Sequence, residues 1–407
     1  MKKKIIFCCF GRRNNYLTAN FLSRKNLLQK MYTDFYISRN QFNFLYFFKK
    51  FLNFKIINKI LMRHSESIAD ENVMSFPGIL IISFLKKFLS LNIYGLFVSE
   101  AKLFNNKITK DIKLLKGTTH VYSFRNDSLE LFKYLKSNHP TVKKILEVPV
   151  APAKFEKDII SSIKQNKFKK WEINLNKNRG FNEIIKREIE EMKLSDYILV
   201  PSKFVKSKII SNYSINPKKI NIIPYAISKN KNIKSIKRKK INKNRRLKVL
   251  TVGDVCLRKG VHHVYNVAKM LGDKFEFIWV GKSNLNYKGM KEASKYIKFI
   301  GEVPNNKINE YFSTSDIYFL PSLCEGSAIS LYEAYLNRLV LVYSKNCGFE
   351  INTSTKNRVI ELDSKKMIVE FKKIYLNKHK IQFKKNKNIY SINSYEKKFS
   401  NFLDKIK

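Results

Sequence analysis

Short apolar runs that stop at glycine or proline, each followed by a helical pattern, recur along this chain. Ile5-Ile6-Phe7-Cys8-Cys9-Phe10 stops at Gly11, and Asp196–Val200 stops at Pro201-Ser202. Leu247–Val252 ends at Gly253, Phe275–Val280 at Gly281, Ile297–Ile300 at Gly301, and Ile317–Leu320 at Pro321-Ser322. Thr119–Ser123, Lys143–Val148 and Leu339–Tyr343 extend the series. Helical patterns fall at about Tyr16–Lys30, Val261–Leu271, Lys307–Ser313 and Ser327–Asn337. Strands alternating with helices imply parallel sheets joined by crossover helices, an α/β chain of doubly wound type.

The 407 residues are too many for one ordinary domain and suit two of roughly 200 each. Lys229–Lys248 separates them: eleven basic residues, no acidic ones, and too little apolar content for a core face. The expected organisation is an N-terminal Rossmann-like domain over 1–228, a basic linker over 229–248 and a second Rossmann-like domain over 249–385. A last segment, 386–407, carries Tyr395, Phe399, Phe402 and Leu403 on one side of a helix expected to pack back on the N-terminal domain.

The formal charge of +48 has two readings. One is attraction to a polyanion. The other is compositional drift, since lysines are scattered along the whole chain rather than gathered in a tail. Either way so basic a surface is drawn to acidic phospholipids. Nucleic acid is not an expected partner, because the basic run lacks interleaved aromatics for base stacking. The five cysteines, Cys8, Cys9, Cys256, Cys324 and Cys347, show neither a disulfide framework nor metal-ligand spacing. A reducing, cytoplasmic setting is expected. The run after Lys2-Lys3-Lys4 is too short for a signal-peptide core, and Lys86-Lys87 interrupt the most apolar long window.

Two strand-to-helix junctions carry chemistry. After Leu320-Pro321-Ser322, a loop bears Glu325 and a small-residue run, Gly326-Ser327-Ala328, opens a helix that bears Glu333. Ligands of doubly wound sheets bind beyond the carboxyl ends of strands. Free amides at Gly326, Ser327 and Ala328 would receive a diphosphate there, aided by the helix dipole. Glu325 would face the sugar, and Glu333 would accept hydrogen bonds from ribose hydroxyls. The plainer alternative is a capped surface helix with two solvated glutamates. The second junction is Gly253-Asp254-Val255-Cys256-Leu257-Arg258-Lys259-Gly260, where Arg258 and Lys259 could neutralise a diphosphate and stabilise its departure. Its alternative is a solvated basic turn.

In order along the chain stand Ser195–Val205, Ile222–Ala226, Gly253…Lys259-Gly260, Gly301-Glu302-Val303, Pro321-Ser322 and Glu325…Glu333. Together they resemble the retaining glycosyltransferases of GT-B fold, in particular glycosyltransferase family 4. The resemblance is strong over about 184–348 and weak before residue 118. It implies two Rossmann-like domains facing each other across a cleft, and transfer of a sugar from a nucleotide-diphosphate sugar with retention of configuration. It implies that Glu325, Arg258 and Lys259 serve the reaction, and that Gly11, Val303, Gly326, Ser327, Ala328 and Glu333 hold the donor, with Val303 by the nucleobase. Neither metal nor cofactor is expected; the nucleotide sugar is a co-substrate. Four features depart from the family pattern. The N-terminal glycine loop is reduced to Gly11-Arg12-Arg13. Asp254 stands where Arg is usual, and Asn337-Arg338-Leu339 replaces a Gly-x-Pro. The N-domain histidine expected near 145–153 is missing, and His120 lies on an earlier strand. A GT-B protein that binds nucleotide or glycan without turnover is therefore the alternative.

Phe42–Arg63 is rich in Phe, Ile and Leu, interspersed with Lys49, Lys50, Lys55 and Lys59. It could lie on an anionic bilayer as a peripheral attachment at the inner face of the membrane, or turn its apolar side into the domain core. The expected acceptor is a glycan or a lipid-linked precursor of cell-surface polysaccharide.

Overall fold

In a computed structural model of the chain, the structure describes residues 3–49, 55–82, 93–112, 116–172, 180–226, 245–304, 307–351, 357–378 and 390–406. Most of the basic run at 229–248 lies outside these residues. Two compact units are present. The first comprises Met1–Pro149, Lys177–Leu199 and Ile215–Asn221; the second comprises Val150–Asn176, Val200–Ser214 and Ile222–Lys407. A single boundary near 228 is therefore simpler than the one observed, since 150–176 and 200–214 pack with the second unit.

The first unit is built on β1 (Ile5–Cys9), β2 (Leu28–Thr33), β3 (Val73–Ser75), β4 (His120–Phe124), β5 (Lys143–Glu147), β6 (Tyr197–Val200) and β7 (Ile220–Ile222). Their order in the sheet is β3-β2-β1-β4-β5-β6-β7, with parallel pairing from β3 through β6. β1 is buried along its whole length, as its continuous apolar run requires. The helix expected over 16–30 is shorter, Leu17–Arg24. Asn26 turns left-handed at φ 52°, and the chain then enters β2, which pairs with β1 from Leu28 to Thr33.

The second unit is built on β8 (Leu247–Val252), β9 (Phe275–Val280), β10 (Ile297–Gly301), β11 (Ile317–Leu320), β12 (Val340–Ser344) and β13 (Arg358–Ile360). They form a parallel sheet in the order β10-β9-β8-β11-β12-β13. Alternate residues point to opposite faces, as the period of a strand dictates. Val249, Phe277, Ile317, Phe319 and Val342 pack on one side with Val264, Ala268, Met367 and Phe371 of the helices Val261–Leu271 and Ser364–Leu376. Leu250, Ile278, Tyr318, Leu320 and Leu341 pack on the other with Phe312, Leu331 and Ala334. Both faces are covered, which is why these strands read as unbroken apolar runs. The last helix, Ile392–Lys405, buries Tyr395, Phe399, Phe402 and Leu403.

Phe42–Arg63 forms parts of two helices, Arg39–Lys49 and Lys55–Leu61. The first buries none of its residues. Phe44 is 63% exposed and Phe47 57%, so this helix does not turn an apolar side into the core. Among the described residues no helix is long and apolar enough to cross a membrane. All five cysteines are buried free thiols.

The helix Val261–Leu271 carries two buried histidines, His262 and His263, with ring centroids 4.1 Å apart. Burial pushes both pKa values down; His263 reaches about 4, and His262, facing His263, falls well below the usual value. The folded chain keeps them neutral where the unfolded chain, near 6.5, takes up protons. Stability is therefore lost as pH falls below about 6.5. His262→Phe removes one such proton. Urea unfolding should show the variant gaining on the wild type as pH falls from about 6.5, with the slope approaching about 1.4 kcal/mol per pH unit near pH 5. Parallel pH profiles for the two chains would contradict this.

Candidate functional site

The second sheet reverses its direction of winding between β8 and β11, so these neighbours flank its topological switch point. Ligands of open α/β sheets bind there, beyond the carboxyl ends. The two junctions singled out in the sequence leave those two strand ends.

The loop after β8 folds back on itself. Gly253 has φ 122°, and a Cβ there would meet Cε of Lys259 at 3.0 Å. The glycine lets the lysine stem run back past the strand end. Gly260, at φ 80°, presses against the loop after β11; a Cβ would lie 2.1 Å from the carbonyl oxygen of Pro321. The carbonyl of Arg258 accepts from the amide of Leu323 at 2.8 Å, and Ser322 Oγ lies 2.8 Å from the same carbonyl. The loop after β12 completes the frame: buried Asn346 donates to the carbonyl of Leu323 at 2.8 Å and accepts from the Glu325 amide at 3.0 Å.

Three donors converge inside this frame on Oε1 of Glu325. They are Lys259 Nζ at 2.8 Å, Arg258 Nη1 at 2.9 Å and Ser322 Oγ at 3.0 Å. The glutamate is only 7% exposed. Burial alone would raise its pKa, but Lys259, Arg258 and the hydrogen bonds from Lys259 and Ser322 hold it below the usual carboxylate value. Burial likewise opposes the charge of Arg258, and Glu325, Cys256, Glu156 and Cys324 together outweigh it. The result is a buried anion with two cations at one strand edge. Oε2 of Glu325 takes no hydrogen bond from any described residue.

Glu333 stands two turns into the helix Ile329–Leu336. Its carboxylate is half-buried and meets no donor among the described residues, and burial pushes its pKa up to about 7. It is thus an acceptor kept partly out of water without a partner. Gly326 and Ser327 offer amides with no acceptor among the described residues. The amide of Ala328 differs from expectation: it donates to the carbonyl of Cys347 at 3.1 Å. Gly348 approaches the Gly326 carbonyl too closely to carry a side chain, and this packing draws the Cys347 carbonyl onto Ala328. Val303 follows β10 and packs, half-buried, against the face that also holds Phe312 and Leu331. Asp254 is exposed.

Sequence reasoning missed the contribution of 150–176 and 200–214. Glu156 lies 3.9 Å from Arg258 Nε, and Glu172 accepts from the Leu257 amide at 3.0 Å. Ser202 Oγ donates to the Gly326 carbonyl at 2.5 Å. Nothing local signals these contacts; the last two span 85 and 124 residues.

In the first unit, Gly11 turns at φ 79° and its amide donates to Asp34 Oδ1 at 2.9 Å. That amide is therefore already occupied. His120 opens β4 at its amino end, opposite the edge where ligands bind, and its Nδ1 lies 2.9 Å from Thr119 Oγ1. The carboxyl end of β5 carries Glu147, which accepts from the Tyr122 hydroxyl.

Residues 232–391 match the family model described as glycosyl transferases group 1. No curated protein matches the chain. Among solved structures, the lipopolysaccharide outer core galactosyltransferase WaaB in its apo form is similar at 14% identity and TM-score 0.59, covering 99% of this chain and 100% of that one. Alr3699/HepE of Anabaena, solved in complex with UDP and glucose, is similar at 11% identity and TM-score 0.58, covering 99% and 100%. The UDP-forming trehalose-phosphate synthase of Burkholderia xenovorans is similar at 10% identity and TM-score 0.58, covering 100% and 99%. The chain has the GT-B fold, with parallel sheets of seven and six strands, and its residues 232–391 are similar to the glycosyl transferases group 1 model.

Proposed function

We propose that this chain is a retaining glycosyltransferase of the family 4 type, taking a sugar from a nucleotide-diphosphate donor held at the carboxyl edge of β8 and β11. The observation that carries this reading is the convergence of Arg258, Lys259 and Glu325 at the switch point, next to two open amides and an unpartnered Glu333. The diphosphate takes its place on Arg258, Lys259 and the amides of Gly326 and Ser327. Fixed cations and amides stabilise the charge that develops on the leaving phosphate without reorganising at the moment of reaction. They do there what a metal ion does in other transferases, so the reading needs none. Glu333 accepts from the ribose hydroxyls, and Val303 borders the base. Glu325 keeps Oε1 on its two cations and offers Oε2 to a sugar hydroxyl.

The bond from the sugar C1 to the phosphate oxygen breaks as the acceptor oxygen bonds to C1 from the same face. The acceptor proton passes to the departing phosphate oxygen, so configuration is retained and the nucleoside diphosphate leaves. The acceptor is a glycan or a lipid-linked precursor of cell-surface polysaccharide. The exposed Phe44, Phe47 and Phe48 of the helix Arg39–Lys49, on a chain of formal charge +48, support peripheral attachment to an anionic membrane face: aromatics insert and ammonium groups meet lipid phosphates.

Glu325→Gln keeps the shape of the side chain and removes its charge. With the nucleotide sugar that the wild type turns over, the variant should lose at least about a hundredfold in turnover, its circular dichroism unchanged and its wild-type parent's product retaining the donor's anomeric configuration by NMR. Unchanged turnover sinks the role of Glu325. A wild type that binds nucleotide but never turns over any donor leaves the non-catalytic GT-B reading instead. For the membrane, wild-type protein should float with vesicles containing anionic phospholipid at moderate salt, and Phe44→Ser with Phe47→Ser should leave it at the bottom of the gradient. Wild-type protein that stays with the soluble fraction removes the membrane from the account.

A further inference from the structure

On the first unit a cavity of about 550 Å³ opens beside the helix Arg39–Lys49. Arg12, Phe42, Tyr46, Lys49, His64 and Ser65 are among the residues that line it. Arg12 follows β1, which with β4 flanks the switch point of the first sheet, the place where an open α/β sheet receives a ligand.

Of the three arginines Arg12, Arg13 and Arg63, two are paired with a carboxylate. Arg13 donates to Asp127 at 3.2 Å, and Arg63 donates to both oxygens of Asp34, at 3.2 and 3.0 Å. Arg12 has no such partner. Its Nε is buried without an acceptor, and no described residue accepts from its terminal nitrogens. A guanidinium carries five donors and cannot shed its proton, so leaving it unpaired and partly out of water is costly. His64 is the second unpaired group. Its Nδ1 lies 3.0 Å from the Ile37 carbonyl, which places the proton on Nδ1 and leaves the lone pair on Nε2. Nε2 is buried and finds no partner either.

The cavity thus holds donors suited to an anion and an acceptor suited to a hydroxyl. It also holds flat apolar faces: Phe42 stacks on His64 at 4.8 Å and on Tyr46 at 5.8 Å. Lys49 lies 5.9 Å over the Tyr46 ring and adds a second positive charge. One carboxylate lines the cavity, Glu66; it is exposed and pairs with neither cation.

We propose that this cavity binds an anionic saccharide, with its phosphate or carboxylate on Arg12 and Lys49, a hydroxyl on His64 and a ring face against Phe42 and Tyr46. The inference rests on the glycosyl-transfer reading for its consequence, that the acceptor is a negatively charged sugar; the binding itself is independent of it. Titrations of the full chain without nucleotide should use hexose 6-phosphates, hexuronic acids, the matching neutral hexoses and inorganic phosphate, read by saturation-transfer NMR and calorimetry. At least one phosphorylated or uronic sugar should bind tenfold or more tightly than its neutral counterpart. The arm that binds tells a phosphate ester from a carboxylate. Arg12→Gln and, on the exposed side, Lys49→Gln should each weaken that binding, Arg12→Gln by at least tenfold. Equal binding of neutral and anionic sugars, inorganic phosphate binding as tightly as any sugar, or no loss in either variant overturns the proposal. Nucleotide diphosphates titrated in parallel into the wild type separate the two failures. Nucleotide binding without anionic-sugar binding removes this cavity alone, and the reverse removes the donor reading and leaves the cavity.

Discussion

A carboxylate buried against two cations from a neighbouring strand is the interaction on which the second unit's ligand edge depends. Removing three charges from water is expensive, and their mutual attraction repays it only where geometry is good and further hydrogen bonds are made. Here Ser322 supplies one more bond to Glu325, and the carbonyls of Arg258 and Cys324 tie the same loops together. The triad joins the end of β8 to the end of β11 and holds Arg258 and Lys259 at fixed positions. With the anion of Glu325 in place, the two cations are satisfied within the unit itself. Glycines make this closeness possible. A side chain at Gly260 would collide with the Pro321 carbonyl, and one at Gly253 would meet the lysine stem.

Much of the second sheet was legible because its strands are buried on both faces. A run such as Phe275–Val280 has few alternatives, and β9 and the helix Val261–Leu271 fall on the residues their patterns indicate. The first unit was harder. The outer half of β2, Leu28–Lys30, is only half-buried, so its mixed composition resembles the end of a helix. Both glutamates of the site could be named from their place after β11. Their states could not: spacing says nothing of the 67 residues that separate Arg258 from Glu325, or that Glu333 meets no donor among the described residues. The Ala328 amide was misread for a related reason, since the Cys347 carbonyl that takes it comes from the loop after the next strand.

The helix Arg39–Lys49 illustrates a choice that composition leaves open and burial decides. Phenylalanines at helical spacing mark a core side or a contact surface equally well. Because none of this helix is buried, its apolar area faces outward. One side of it borders the cavity with Arg12 and His64, where Phe42, Tyr46 and Lys49 lie at intervals of four and three residues. Phe44, Phe47 and Phe48 stand exposed on the remainder. A helix that contacts an acceptor cavity along one side and a membrane along another would bring a lipid-linked, anionic saccharide to the protein without releasing it into water. The basic charge of the chain favours both contacts.

The central claim, a nucleotide-diphosphate site at the edge of β8 and β11, is tested most directly by thermal unfolding against a panel of nucleoside diphosphates and nucleotide sugars without added metal. One base should stabilise the wild type, by about 2.7 kcal/mol at a hundred times its dissociation constant, and Lys259→Ala should abolish the shift. No shift with any member of the panel, or an equal shift in Lys259→Ala, would contradict the account.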